Sequence, residues 1–97
     1  MSTKTLKYYY AYILQSEVDQ SFYKGSTEDY LKRLEQHNQG LSHYTSRKMP
    51  WKLVCVERFE SRAEAMSREK SLKKAGGSRL QAIIDSSKNI LKNTSKV

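Results

Sequence analysis

One cysteine in 97 residues can close no disulfide within the chain and cannot build a thiolate zinc cluster. It sits at position 55, inside the apolar, strand-like run KLVCVERF, with no histidine or cation beside it in sequence to lower its pKa. Cys55 therefore reads as a small packed side chain and not as a nucleophile. Long apolar runs are missing as well. None approaches the ~20 residues of a membrane-spanning helix, and the N-terminus has no apolar core of a signal peptide. No membrane span is expected, and the cytoplasm is the expected location. Acidic residues are the third shortage: 10 Asp and Glu face 18 Lys and Arg, a formal net charge of +8. That imbalance points to a polyanionic partner, nucleic acid first and an anionic membrane surface second. A basic chain that merely stays in solution would carry the same charge.

The length suits one domain, since single cores are commonly built from ~100–150 residues. Apolar residues make up only 37% of the chain but fall in periodic groups, which is enough for a core. The folded unit is expected over residues 1–86, with a basic polar tail over 87–97. The segment SSKNILKNTSKV, from Ser86 onward, reads as a weak helix end that frays. Residues 8–14, YYYAYIL, read as a strand with Tyr8, Tyr10, Tyr12 and Leu14 on one face and Tyr9, Ala11 and Ile13 on the other. QSEVDQ supplies turn residues, and SFYKG makes a second strand of an antiparallel hairpin. Thr27 is the candidate N-cap of a first helix, with Glu28 and Asp29 at its positive end and Gly40 as its stop. GLSHYTSRKMP is a basic polar loop, and WKLVCVERF a third strand. Ser61 and Glu64 form a capping box for a second helix that closes at Gly76 and Gly77, after which Ser78 recaps a short third helix. The order β-β-α-β-α-α predicts an α+β fold: a three-stranded antiparallel sheet flanked by helices.

Three features could carry chemistry. Glu69 shares its side of the second helix with Ala65, Met66 and Leu72, so its carboxylate faces the protein and requires a cation. A structural Arg or Lys is the commoner partner; a divalent metal is the other. On the first helix, Arg33 and His37 stand one turn apart beside Leu34. A guanidinium and an imidazole so placed can grip one phosphate together, although a solvated basic face with a packed histidine has the same pattern. Seven tyrosines are many for this length. Core packing accounts for most of them, but a phenol with a pKa of ~10 can act as a general base where cations lower it.

The order of these residues is more specific than any one of them. Tyr10-Ala11-Tyr12 on the first strand, Tyr23-Lys24-Gly25 on the second, Arg33 and His37-Asn38 on the next helix, and a helical Glu69 followed by Lys73 together resemble the GIY-YIG endonuclease family. The closest likeness is to its small single-domain, UvrC-type members, and it covers residues 8–85. The resemblance implies a metal-dependent phosphodiesterase on a three-stranded sheet. It implies Tyr12 and Tyr23 as the motif tyrosines, Gly25 as the glycine that turns the backbone into the helix, and Arg33 as the group that stabilises charge on the phosphate. His37 fits the histidine one turn later, and Glu69 the single carboxylate that holds one magnesium or manganese ion. Tyr10 replaces the first motif's glycine, and Lys24 replaces an apolar residue of the second. A late polar residue, often Asn in related nucleases, has only Gln81 near its expected place.

Under this reading Tyr12 or Tyr23 takes a proton from water, while Arg33 and metal on Glu69 neutralise developing charge and His37 orients or relays the proton. Lys24, Lys32, Arg47, Lys48, Lys73 and Lys74 would hold a nucleic-acid backbone, DNA ahead of RNA, without reading bases. The alternative is a basic nucleic-acid-binding module on the same fold that does not cleave. A packing domain in which Glu69 and the tyrosines are purely structural is a third reading.

Overall fold

Side-chain alternation along YYAYILQS decides the architecture, because it offers aromatic and apolar groups to both sides of one strand. In the computed structural model, which describes residues 7–93, this segment forms β1 (Tyr9–Ser16). Residues 17–20 turn the chain into β2 (Phe22–Thr27). Helix α1 (Tyr30–Asn38) and a 3-10 turn at Ser46–Lys48 follow, then β3 (Trp51–Phe59), α2 (Arg62–Lys73), α3 (Gly77–Ile84) and α4 (Ile90–Asn93). The sheet is antiparallel in the order β2-β1-β3, so β1 is central and β2 and β3 are its edges. This is the α+β class expected from the sequence, with one further helix. None of the helices among the described residues is long and apolar enough to cross a membrane.

Each face of β1 nucleates a separate core. Ala11 and Ile13 pack with Cys55, Leu72 and Leu80 beneath α2 and α3. Tyr12 and Leu14 pack with Trp51 and Val56, and Tyr30 and Leu34 of α1 close over them. Burying such a side chain contributes ~1.5–3 kcal/mol. On the α2 side lies a charged pair that the sequence reading did not isolate. Glu57, opposite Ala11 in the ladder and only 3% exposed, accepts two hydrogen bonds from Arg68, at 2.7 and 3.2 Å. Cys55 lies beside this pair, and burial, with help from the Glu57 charge, pushes its thiol up to about 12. It is inert, as its sequence context predicts.

Helix boundaries differ in detail from expectation. Asp29, not Thr27, caps α1: its carboxylate accepts from Lys32 N at 3.0 Å, while Thr27 ends β2 and its hydroxyl accepts from Asp29 N. Asp outranks Thr as a cap, and starting later lets the helix use it. Gly40 does terminate α1. It adopts φ +75°, and the bonds Gly40 N to His37 O and Leu41 N to Gln36 O make a Schellman end. Ser61 caps α2 as expected, accepting from Glu64 N. α3 starts from Gly76 without a side-chain cap, leaving Ser78 inside its first turn. Met66, assigned to the inward stripe of α2, is 49% exposed, because only Ala65 and Leu72 point squarely at the sheet.

The expected tail is a correction of larger consequence. Residues 86–93 return across β3, and α4 lays Ile90 and Leu91 on the Tyr12 core; residues 94–97 lie outside the described part. Asn89 explains why a polar, Lys-rich segment docks. Its side chain accepts from Val56 N at 3.0 Å and Leu91 N at 3.1 Å, and donates to Val54 O at 2.9 Å and Ile84 O at 2.8 Å. All the hydrogen-bonding capacity needed to bury an amide is thereby used.

Candidate active site

The candidate site straddles the free edge of β2. Gly25 pairs with Tyr12 in the ladder, and a methyl group on it would come within 2.6 Å of the phenol oxygen and 2.7 Å of Cζ. Bare backbone at this point is what lets the Tyr12 ring lie across β2. The glycine expected to turn the chain into α1 therefore sits inside a strand, and its role is spatial.

Tyr12, Arg33 and His37 form one hydrogen-bonded group. The phenol oxygen of Tyr12 is 3.3 Å from His37 Nε2, and Arg33 Nη2 is 3.4 Å from the same nitrogen. A guanidinium only donates, so Nε2 must carry the lone pair. The proton is then on Nδ1, which donates to Thr45 Oγ1 at 2.8 Å, while that hydroxyl donates onward to Ser42 O. His37 is fully buried. Burial and the Arg33 charge lower its pKa to about 4, so it is neutral near pH 7. Burial also raises the Tyr12 phenol above its ordinary value, against the opposing hydrogen bond from Arg33. Tyr23 packs on the other side of the imidazole, its ring centroid 4.8 Å from that of His37 and 6.4 Å from that of Tyr12.

The depressed imidazole has a testable consequence for stability. Unfolding restores the ordinary value of 6.5, so between pH 6.5 and about 4 the unfolded chain binds the extra proton and stability falls as pH falls. The parent protein is expected to lose roughly 2 kcal/mol more than His37→Gln between pH 7 and pH 5, measured as urea unfolding free energies. Equal losses in the two proteins would rule this out.

Glu69 reaches the same edge from α2. Ser26 Oγ donates to its Oε1 at 2.7 Å, and Lys73 Nζ lies 2.8 Å from Oε2. The side chain is 22% exposed. Burial would raise its pKa, but the bonds from Lys73 and Ser26 outweigh burial and hold the carboxyl below its ordinary value. Its charge reaches the Tyr12 phenol, and the Lys73 ammonium feels Tyr23 and Tyr44, so these groups share one electrostatic neighbourhood. No cluster of three His, Cys, Asp or Glu side chains suited to a metal occurs among the described residues. Glu69 is thus a single carboxylate among hydroxyl oxygens. A carboxylate of this kind suits a hard divalent cation with water completing the shell, although here the Lys73 ammonium occupies one of its oxygens.

The basic residues divide. Lys24 and Lys73 line a hollow of about 370 Å3 with Phe22, Tyr23 and Tyr44. Lys32 lines another, beside Arg33 and Ser26. Lys74 lies in a groove with Lys70 and Arg79 on α2 and α3, and Arg47 is exposed on the 3-10 turn. Lys48 is committed to Asp19 and Ser21 at the hairpin turn. Gln81 bonds Asp85 along its own helix. Thr45, Ser26 and Tyr44 were not singled out from the sequence. No periodicity marks them, because the first and last lie in an irregular loop and the second in a short edge strand.

The chain matches the GIY-YIG catalytic domain over residues 8–81. It belongs to the GIY-YIG family. A UPF0213 protein of Clostridium perfringens is 46% identical over 66 residues, covering 67% of this chain and 70% of that protein. The structure-specific endonuclease subunit SLX1 of Meyerozyma guilliermondii is 42% identical over 84 residues, which cover 78% of this chain but 28% of that longer protein. The solution structure of the UPF0213 protein BH0048 from Bacillus halodurans superimposes with a TM-score of 0.55 at 31% identity, covering 93% of this chain and 96% of that one.

Proposed function

We propose that this protein is an endonuclease that hydrolyses phosphodiester bonds in DNA with one divalent ion, magnesium or manganese, in repair or recombination. The observation that carries the reading is the meeting of Tyr12, His37 and Arg33 with Glu69 at one edge of the sheet. Membership of a catalytic-domain family and likeness to an endonuclease subunit support it.

Arg33 binds the phosphate and, as a fixed guanidinium, is ready for charge that develops on its oxygens. Tyr12 accepts a proton from the attacking water as its own proton passes to His37 Nε2, the acceptor it already faces. In the free protein that transfer is unfavourable, since His37 is held low and Tyr12 high. A bound phosphate offsets the Arg33 charge that opposes a proton on His37, so substrate itself readies the relay. Tyr23 buttresses the imidazole and is the other candidate base. Glu69 would hold the ion, which supplies Lewis-acid stabilisation of the departing oxygen when bound. Lys24, Lys32, Arg47, Lys73 and Lys74 hold the backbone, and their contribution weakens with salt.

The Glu69–Lys73 ion pair favours one rival, a binding module that does not cleave, because it occupies the carboxylate with an amine. A cleavage assay over a panel of duplex, branched and single-stranded DNA and RNA, with magnesium, manganese or chelator, separates the two. Hydrolysis that chelator stops supports the enzyme. No hydrolysis of any member leaves the binding module.

A further inference from the structure

Tyr44 is 80% exposed, yet the backbone beside it is held in place. The next residue, Thr45, is fully buried: its hydroxyl meets His37 Nδ1, and its carbonyl accepts from Trp51 Nε1 at 2.9 Å. An aromatic ring is thus presented to water by a backbone clamped one residue away. Its centroid lies 6.0 Å from that of Tyr23 at an interplanar angle of 47°, and the hollow of about 370 Å3 opens between them. Lys24 and Lys73 flank that hollow. Lys24 makes no ion pair among the described residues. A partly apolar hollow with an exposed aromatic ring and two ammonium groups at its border, that of Lys73 shared with Glu69, matches a nucleobase with its phosphate, and its volume is that of a small-ligand pocket (~300–1,000 Å3).

We propose that Tyr44, with Tyr23, Lys24 and Lys73, forms a stacking site for one unpaired base next to the cleaved phosphate, so that the substrate is single-stranded at or beside the scissile bond. The position beside that phosphate rests on the function proposed above; the stacking site itself does not. Inside a duplex both faces of a base are covered by its neighbours, so away from the helix ends only an unpaired base can lie on Tyr44. Stacking tolerates any base, in keeping with a surface that otherwise offers lysines to the backbone.

Binding in the presence of chelator tests this without cleavage. The probes are a 12-nucleotide single strand containing 2-aminopurine and the same strand fully paired. The parent chain is expected to quench the probe's fluorescence and to bind the single strand more tightly than the duplex. Tyr44→Ala should weaken single-strand binding by roughly 5- to 150-fold, the range for removing one stacked base, while duplex binding stays within about twofold. Tyr44→Phe, which keeps the ring, should bind like the parent. Unchanged single-strand binding by Tyr44→Ala overturns the proposal. So does an equal loss on both probes, or an effect confined to self-association, which would assign the ring to a second copy of the chain. A parent that binds in this way but cleaves nothing defeats the nuclease reading and leaves the stacking site standing.

Discussion

Glu69→Gln is expected to cut metal-dependent cleavage by ~10³-fold or more while metal-free nucleic-acid binding stays within about twofold. The substitution keeps the length of the side chain and an oxygen able to accept from Ser26 Oγ, so the junction between α2 and β2 survives. What it removes is the carboxylate charge held against Ser26 of β2. Loss of several kcal/mol of electrostatic stabilisation at the reacting phosphate corresponds to at least that factor in rate. Stability cannot account for such a loss. Lys73 is 57% exposed, and an i, i+4 pair of this kind contributes only ~0.3–0.5 kcal/mol. The melting temperature should therefore move by no more than a few degrees. Wild-type cleavage by Glu69→Gln would separate Glu69 from the chemistry, and a collapse in melting temperature would make it structural.

Arg68→Ala should damage the fold severely, by about 3–5 kcal/mol, or on the order of 15 °C or more in melting temperature. Glu57 is buried, and Arg68 is its ion-pair partner and donates both hydrogen bonds to its carboxylate. Truncating the arginine strands a charge between β3 and α2. Replacing both residues with apolar ones, Glu57→Leu with Arg68→Met, should recover most of the loss, because the double change leaves no unpaired group. Calorimetric melts of the single and double variants would decide it. A small effect of Arg68→Ala would mean that water reaches the carboxylate.

The sheet and its helices were legible because their signals are local: alternation in YYAYILQS, a Gly stop at position 40, Ser61 before an acidic turn. The tyrosines, Arg33, His37 and Glu69 were nominated as site residues through their order along the chain. What the order could not give was the space between them. Gly25 looked like a turn residue because only the fold shows a phenol lying on it. Thr45 and Ser26 escaped notice because a single hydroxyl has no pattern, and each acts on a partner brought near by the tertiary fold. The C-terminal segment misled for a similar reason. Its composition is that of a solvated tail, yet Asn89 finds the exact spacing of two strand backbone groups and Ile90 and Leu91 reach the Tyr12 core beside it.

That asparagine also governs what can dock beside β3. An outer strand carries unsatisfied amides and carbonyls that invite a foreign backbone. The Asn89 side chain occupies two of these sockets, at Val54 and Val56, like a one-residue substitute for a fourth strand. Cutting the chain before residue 89 would reopen them, and molecules so shortened should stick to one another through that border, visible as concentration-dependent sedimentation absent from the full chain.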